Sequence, residues 1–280
     1  MRIPRSVRLG AGAIAGLAVA VYLGSVAWLK ISEDDLVYGV ATSRQNVLAF
    51  DTSIFAPGTL RTSDGLRLQT VTLAPPAGRT DPYWVLFFHG NASSIQTPDV
   101  QDKLRKLRDL GYGVFAFDYR GFGASEGTPS EAGLYEDGMT AYRRLAEEHR
   151  FQPGRLLLFG WSLGSAVAVE VATRVRVAGL VLDGAFTSMP DAGQAHYPWM
   201  PVRLLARNRF ASIEKIDRVN VPVLFIHSVG DTFVPYEQGR ALFEKAREPK
   251  HWLEVSDGHI NAGFTDLRTL GLAMAQLLVQ

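Results

Sequence analysis

The stretch RLLLFGWSLGSAVAVEVATR, residues 155–174, joins an apolar run to a run of small apolar residues through a glycine-flanked serine. The first run has the length and continuous apolarity of a strand buried on both faces, and the second has the length of a helix. Between them, Ser162 stands in the pattern G-x-S-x-G, whose glycines at 160 and 164 permit a sharp strand-to-helix turn. The pentapeptide alone occurs by chance in many chains. Between a strand and a helix, it predicts that Ser162 is a nucleophile raised above a sheet.

The chain from Tyr83 onward alternates short apolar runs with helical patterns. The runs are YWVLFFHG, GVFAFD, RLLLFG, VAGLVLDGA, PVLFIHS and HWLEVS. Ahead of them, TLRTSDGLRLQTVTLAP predicts a hairpin with Asp64 and Gly65 in its turn. This order predicts an α/β fold with an open, mostly parallel sheet and helices on both faces.

The N-terminal segment, residues 1–30, predicts a membrane anchor. Arg2, Arg5 and Arg8 precede 21 uncharged residues, numbers 9–29. As a helix these would span ~31 Å, against ~30 Å for the hydrocarbon core of a bilayer. The arginines before the run and SEDD after it predict a single-pass protein with a cytoplasmic N-terminus and a periplasmic or otherwise extracytoplasmic catalytic domain. A signal peptide cleaved near the sequence SVA, residues 25–27, is the alternative.

The order of apolar runs and helical patterns predicts three further segments. We expect an irregular juxtamembrane segment over residues 31–57 and a catalytic domain over 58–280. Within that domain, the interval of about 186–217 contains no predicted strand. A connection of that length in a compact domain is usually functional, so we expect a lid over a site.

A serine nucleophile needs a base, and the base needs an acid that orients it. Ligand sites in such sheets lie beyond the carboxyl ends of the strands. Asp231 follows the run PVLFIHS, and His259 lies between HWLEVS and the last helical pattern. We predict that Ser162, Asp231 and His259 form a catalytic triad. Asp183, which ends another strand, is the alternative acid, and His227 is predicted to be a packed structural histidine.

An acyl-transfer site also needs donors for the oxyanion of the tetrahedral intermediate. The backbone N–H of Leu163, directly after the serine, is one expected donor. The run FFHGNAS ends the first long strand with His89, Gly90 and Asn91, where glycine lets the backbone approach a substrate. The N–H of Asn91 is therefore the second expected donor.

Candidate substrate contacts lie beside the serine and in the lid interval: Trp161, His196, Trp199 and Met200. Trp161 could instead pack beneath the turn. The lid also carries Arg203, Arg207 and Arg209 among apolar residues. One hypothesis is that the lid packs near the bilayer and admits an acyl chain while its arginines meet anionic head groups. The alternative is an ordinary amphipathic lid with a solvated basic face.

Composition removes several classes of function. The chain has no cysteine, which excludes disulfides, thiolate metal sites and a cysteine nucleophile. Its 29 basic and 28 acidic residues leave a formal net charge of +1, so no broad basic surface for nucleic acid is expected. We predict neither a metal nor an organic cofactor, and the sequence makes no prediction of oligomeric state.

The segments HGNASS, DYRGFGASEGTPSEAGLYEDG, GWSLGSAVAVEVA, HSVGDTFVP and DGHIN resemble the α/β-hydrolase superfamily over residues 58–280. They are most similar to its branch of membrane-anchored serine hydrolases, the serine-aminopeptidase-like or ABHD-type proteins. The resemblance implies a sheet of about eight strands, the triad in the order Ser162, Asp231, His259, and a structural role for Arg120. It implies hydrolysis of acyl ester or thioester bonds, including lipid-linked ones, through an acyl-enzyme intermediate. The alternatives are a peptidase or amidase with the same triad, and a catalytically silent scaffold at the membrane.

Overall fold

An eight-stranded sheet forms the centre of the molecule. The computed structural model describes residues 5–78, 81–149 and 153–279, so Arg2 and residue 280 lie outside the described residues. The strands are β1 (Ala56–Arg61), β2 (Arg67–Leu73), β3 (Trp84–Phe88), β4 (Gly113–Phe117), β5 (Leu156–Trp161), β6 (Gly179–Asp183), β7 (Val223–Ser228) and β8 (Lys250–Val255). They lie in the order β1-β2-β4-β3-β5-β6-β7-β8. β2 runs antiparallel to both of its neighbours, and every other pair is parallel. The predicted mostly parallel sheet is therefore confirmed.

Helices cover both faces of this sheet. The helices within the described residues are α1 (Arg5–Ile31), α2 (Glu33–Tyr38), α3 (Val40–Ser43), α4 (Pro98–Asp109), α5 (Glu131–His149), α6 (Leu163–Ala172), α7 (Met189–His196), α8 (Val202–Leu205), α9 (Tyr236–Lys245), α10 (Gly258–Asn261) and α11 (Leu267–Leu277). Apolar side chains of α5, α6 and α9 pack on one face, and those of α4 and α11 pack on the other. The fold is thus an α/β sandwich of three layers.

Strand β5 shows why the continuous apolar runs form buried strands. Leu156 and Leu158 point into one core, whereas Leu157 and Phe159 point into the other. All six residues of β5 are buried. Successive side chains of a strand point to opposite faces, so a strand covered by helices on both sides must be apolar at every position.

Helix α1 carries the N-terminal apolar run. Its part from Ala13 to Ile31 has 19 residues, a mean hydropathy of 1.8 and only 6% of its most apolar window buried. By length and composition this segment can cross a membrane. A signal sequence has the same length and composition.

The expectation of an irregular segment over 31–57 is wrong. Residues 33–38 and 40–43 form α2 and α3, and Tyr38 is almost fully buried. Three acidic residues occupy the first turn of α2, where they interact favourably with the helix dipole. Helices of six and four residues fall well below the usual length of ~11–12, so their apolar periodicity is too short to detect.

The predicted hairpin and the lid interval both take definite forms. β1 pairs with β2 in the register Leu60 to Leu68, with Asp64 and Gly65 in the turn. The hairpin begins at Ala56, two residues before the predicted domain boundary. Residues 186–217 contain no strand and fold into α7, α8 and two short 3-10 turns.

Candidate active site

Ser162 occupies a strained turn between β5 and α6. Its backbone has φ 53° and ψ −120°, a region that non-glycine residues adopt at a cost of ~1–3 kcal/mol. The flanking glycines make the turn possible. A Cβ at Gly160 would lie 2.6 Å from the carbonyl oxygen of Gly164, and a Cβ at Gly164 would collide with the carbonyl oxygen of Phe88. The spacing of the two glycines is therefore a steric requirement of this turn.

The loops after β7 and β8 bring Asp231 and His259 to the serine. His259 Nε2 lies 2.8 Å from Ser162 Oγ, and His259 Nδ1 lies 2.6 Å from Asp231 Oδ2. With the Nδ1 proton donated to Asp231, Nε2 is left to accept the hydroxyl proton of Ser162. The three side chains that the sequence places in a triad thus form one hydrogen-bonded chain.

Asp231 is held as a carboxylate. Burial of its carboxyl group opposes ionisation, but the hydrogen bond and charge of His259 outweigh that effect and lower the pKa of Asp231. Its second oxygen accepts the backbone N–H groups of Phe233 and Val234, each at 2.8 Å. These two bonds fix the carboxylate and stabilise its charged form.

Asp183, the alternative acid, has a different position. Its carboxyl group is fully buried, neither oxygen has a hydrogen-bond partner within the described part of the chain, and burial raises its pKa well above the ordinary value. Its backbone carbonyl accepts the N–H of Ser162 at 2.8 Å. The next residue, Gly184, leaves room for His259, because a Cβ there would lie 2.9 Å from the imidazole Cε1. Asp183 therefore supports the serine turn from below.

A buried lysine lies under the histidine loop. Lys103 Nζ donates to the carbonyl of Ile260 and lies 4.7 Å from the centroid of the Trp161 ring. Burial lowers the pKa of Lys103, and the charge of Asp183 opposes that shift. Trp161 Nε1 donates to the carbonyl of His259 at 3.2 Å. Sequence reasoning missed Lys103, since a lysine in the charged helix α4 has the pattern of a solvent-exposed residue.

The two residues expected to supply oxyanion donors, Asn91 and Leu163, lie in the turns next to the serine. Asn91 and Leu163 both line the cavity that contains Ser162 and His259. Leu163 opens α6, where backbone N–H groups lack an intrahelical partner. A Cβ at Gly90 would lie 3.3 Å from Ser162 Cβ, so the strand end approaches the serine closely. Helix α2 holds the turn that carries Asn91 in place, because the N–H of Ala92 donates to the carbonyl of Tyr38 at 2.9 Å.

The serine opens into a cavity of about 390 Å³. Apolar side chains from three parts of the chain dominate its wall. The lid supplies Phe186, Met189, Val202 and Leu205, the N-terminal segment supplies Leu29, Leu36 and Val37, and the loop after β7 supplies Phe233 and Val234. A mainly apolar wall is suited to hydrocarbon more than to a charged group.

The candidate substrate contacts divide between the cavity and other places. His196 lines the cavity, with Nε2 at 2.8 Å from the carbonyl oxygen of Phe233. Trp161 is buried beneath the turn, and Met200 packs against Leu29 and Val202. Trp199 is 64% exposed and packs edge-on against Tyr197. The expectation that Trp161, Trp199 and Met200 line the substrate site is therefore corrected, since β5 and the lid direct them elsewhere.

The lid arginines are engaged within the protein. Arg203 Nε lies 2.7 Å from Asp191, and Arg207 pairs with Glu33 at 3.1 Å and with Asp34 at 3.3 Å. The guanidinium of Arg209 donates to the carbonyl of Arg203 at 3.5 Å. Two of the three cations already have carboxylate partners, which weakens the hypothesis that they bind anionic head groups.

Arg120 lies in the loop after β4. It contacts Asp137 at 2.8 Å and Asp64 at 3.0 Å, and so ties the hairpin turn to helix α5. This is the structural ion pair that the sequence resemblance implies.

Comparisons with known proteins identify the family of this chain. Residues 85–269 match the alpha/beta hydrolase family. An uncharacterized protein of Mycobacterium tuberculosis (strain CDC 1551 / Oshkosh) is 33% identical over 272 residues, or 95% of this chain and 94% of that protein. Lysophosphatidylserine lipase ABHD12 of Danio rerio is 33% identical over 184 residues, or 59% of this chain and 48% of that lipase. The solved esterase Pf2001 of Pyrococcus furiosus, 18% identical, has a TM-score of 0.68 over 84% of this chain and 97% of its own, a likeness of fold. The chain belongs to the alpha/beta hydrolase family.

Proposed function

We propose that this protein is a membrane-anchored serine hydrolase that cleaves acyl ester or thioester bonds, including those of lipids. One observation carries the proposal: the hydrogen-bonded chain Ser162–His259–Asp231 opens into an apolar cavity. The first feature supports nucleophilic acyl transfer, and the second supports an acyl chain as the bound group.

The first half of the reaction forms an acyl-enzyme. Ser162 Oγ attacks the carbonyl carbon of the substrate while its proton passes to His259 Nε2, and the charge of Asp231 stabilises the imidazolium. The backbone N–H groups of Asn91 and Leu163 donate to the oxyanion. His259 then returns the proton to the leaving alcohol or thiol as the carbon–oxygen or carbon–sulfur bond breaks.

The second half releases the acid. A water molecule gives its proton to His259 Nε2 and attacks the acyl carbon. The bond to Ser162 Oγ breaks, His259 returns the proton to that oxygen, and the carboxylic acid leaves. Asp231 keeps the imidazole in one orientation through both halves.

The cavity supports an acyl substrate more than a peptide. Each methylene removed from water contributes ~0.8 kcal/mol to binding. A peptide with a free amino terminus needs a carboxylate to pair with it. Among the described residues that line the cavity, Glu33 is the one carboxylate, and its oxygens already accept N–H groups of Arg207 and Asn208.

The names of two similar proteins agree with an ester substrate. One relative is a lysophosphatidylserine lipase, and one protein of the same fold is an esterase. Helix α1 supports the membrane part of the proposal through the length and apolarity of Ala13–Ile31. In this proposal α1 stays uncleaved, the N-terminus is cytoplasmic and the catalytic domain is extracytoplasmic.

Labelling with a fluorophosphonate probe tests the enzyme against the silent scaffold. We expect the full chain to be labelled and Ser162→Ala to be unlabelled. Ser165→Ala is the matched control, since Ser165 lies in the first turn of α6 and its buried hydroxyl has no partner within the described residues. Labelling that survives in Ser162→Ala would contradict the assignment of the nucleophile.

A second assay separates esterase from peptidase. We expect p-nitrophenyl esters to be hydrolysed with a preference that rises with acyl length, and aminoacyl anilides to be poor substrates. Faster cleavage of the anilides would replace the ester proposal with the peptidase alternative.

A further inference from the structure

The end of the apolar helix α1 forms part of the wall around the serine. Leu29 and Lys30, in its last turn, line the cavity, and so do Leu36 and Val37 of α2. The apolar segment ends at Ile31. One helical turn rises 5.4 Å, so the cavity wall begins within about one turn of the end of the apolar segment.

The junction of α1 and α2, residues 28–38, is fixed to the lid. Leu29 packs against Met200 and Val202. The Glu33 carboxylate accepts the backbone N–H groups of Arg207 at 2.7 Å and Asn208 at 2.8 Å. Because these contacts join the junction to both ends of α8, the lid cannot be placed independently of α1.

The same junction is also fixed to the turn that carries Asn91. The carbonyl of Tyr38 accepts the N–H of Ala92 at 2.9 Å, and its hydroxyl donates to Asn208 at 2.5 Å. A Cβ on Gly39 would lie 2.7 Å from the Cβ of Ala92. The catalytic domain is therefore held close to the end of α1 rather than on a free linker.

Large apolar side chains are exposed both on the junction and on the lid that packs against it. Trp28 is 50% exposed on α1, and on the lid Trp199 and Leu204 are 64% and 86% exposed. In sequence, Trp199 directly precedes Met200, and Leu204 lies two residues after Val202, the two lid residues that pack on Leu29. Tryptophan is enriched at membrane interfaces because it has an apolar ring and a polar N–H. These three side chains suit the boundary between hydrocarbon and head groups.

We propose that the cavity opens at the membrane interface and takes a lipid acyl ester directly from the leaflet beside α1. The inference rests on the function and anchoring proposed above and specifies where the substrate comes from. If Ala13–Ile31 spans the bilayer, Leu29 and Lys30 lie at its surface, so an acyl chain passes from hydrocarbon into the apolar cavity. Passage through water would cost ~0.8 kcal/mol for every methylene exposed, and the lateral route avoids that cost. In this arrangement Trp199 and Leu204 insert into the interface.

Hydrolysis within one vesicle and between vesicles tests the lateral route. The full chain is reconstituted in phosphatidylcholine vesicles that either contain a fluorogenic long-chain ester lipid or are mixed with separate vesicles that contain it. We expect hydrolysis to be at least about tenfold faster in the shared bilayer, because confinement raises the effective concentration of the substrate. Equal rates would overturn the inference.

A water-soluble short-chain ester is measured in both arrangements, with Ser162→Ala as the blank. If the water-soluble ester is hydrolysed at the same rate in both vesicle arrangements, the result supports the proposed function whatever route the lipid takes. If no Ser162-dependent hydrolysis of it occurs, the proposed function fails and the inference fails with it.

Two tryptophan variants test whether the junction forms the wall. Leu36 lines the cavity and is 40% exposed, so an indole there narrows the acyl site without entering the core. We expect Leu36→Trp to lower the ratio of kcat/KM for long over short esters about tenfold, a loss of ~1.4 kcal/mol of selective binding. Ile31→Trp is the matched control, since Ile31 is 81% exposed. Leu36→Ala should move the preference towards longer chains, and an unchanged preference in both Leu36 variants would overturn the assignment of the wall.

Discussion

The carboxylate of Glu33 is the contact whose removal should most clearly loosen the junction from the lid. Its Oε1 accepts the N–H of Arg207, the N–H of Asn208 and the Asn208 side-chain amide at 2.7, 2.8 and 3.1 Å. Glu33→Ala leaves these donors without their acceptor. The Asn208 backbone N–H is buried and loses its acceptor, whereas the Asn208 side-chain amide keeps its bond to Asp34 at 3.1 Å. A buried donor left unpaired costs ~1–3 kcal/mol, so we expect a loss of about that size in the free energy of unfolding.

Glu33→Gln refines this prediction. The amide oxygen of the new glutamine can take the place of Oε1. The amide N–H₂ group then takes the place of Oε2, which in the wild type accepts Arg207 Nε–H at 3.1 Å, and it cannot accept that donor. We therefore expect Glu33→Gln to lower the free energy of unfolding by about 1 kcal/mol, through the loss of the charge and of this single bond. Burial opposes ionisation of Glu33, yet the N–H donors outweigh it and lower its pKa below the ordinary value of 4.5. A lowered pKa adds stability that is present above pH 4.5 and is lost as the pH falls through the folded-state value.

Urea unfolding of the full chain in detergent, followed by tryptophan fluorescence, measures both effects. Asp35→Ala is the matched control, because Asp35 is an exposed acidic residue of the same helix α2. We expect the difference between the wild type and Glu33→Gln to be constant near neutral pH and to shrink below pH 4.5. If Glu33→Ala unfolds at the same urea concentration as Asp35→Ala, the carboxylate does not hold the junction and the reasoning is refuted.

Three further variants test the site itself. Asp231→Asn should lower kcat for ester hydrolysis by about 10³–10⁴, since an amide cannot stabilise the imidazolium, and a loss below tenfold would argue against this acid. Gly164→Ala should lose about 3 kcal/mol in the free energy of unfolding measured with urea, the upper end of the usual cost of overpacking, because its Cβ meets a carbonyl oxygen of β3. Gly154→Ala, with no atom within 4 Å of its Cβ, should be neutral. Lys103→Met should reduce kcat by loosening the histidine loop. Adding Asp183→Asn to this variant should partly restore kcat, because the two buried groups interact. If the effects of the two substitutions on kcat are additive in a double-mutant cycle, the two groups are independent.

The strands and the site loops could be predicted because their signals are local. A strand covered on both faces must be apolar at every position, as Leu156 to Phe159 are, and a turn this sharp needs glycine at 160 and 164. The parallel arrangement then places the loops after successive strands at one edge of the sheet. For that reason Asp231 and His259 could be selected from positions 69 and 97 residues beyond the serine.

The remaining features depend on contacts between distant residues. Asp183 and Asp231 both follow a strand, and only the fold shows that Asp231 reaches His259 while Asp183 is buried beneath the turn. Lys103 has the pattern of a surface lysine, although Trp161 and the histidine loop enclose it. Trp199 is the opposite case: the sequence made it a candidate substrate contact, and the fold directs its side chain outward. Partners far apart in the chain leave no periodic signal.

The most direct test of the central claim is the acyl-enzyme itself. The full chain is mixed rapidly with a long-chain p-nitrophenyl ester, the reaction is stopped in acid, and the peptide that contains Ser162 is analysed by mass spectrometry. We predict a burst of p-nitrophenol no larger than one equivalent per active site and an acyl group on Ser162 that is absent from Ser162→Ala. Steady turnover with an acyl group on any other residue, or with no acylated residue in either protein, would contradict the account.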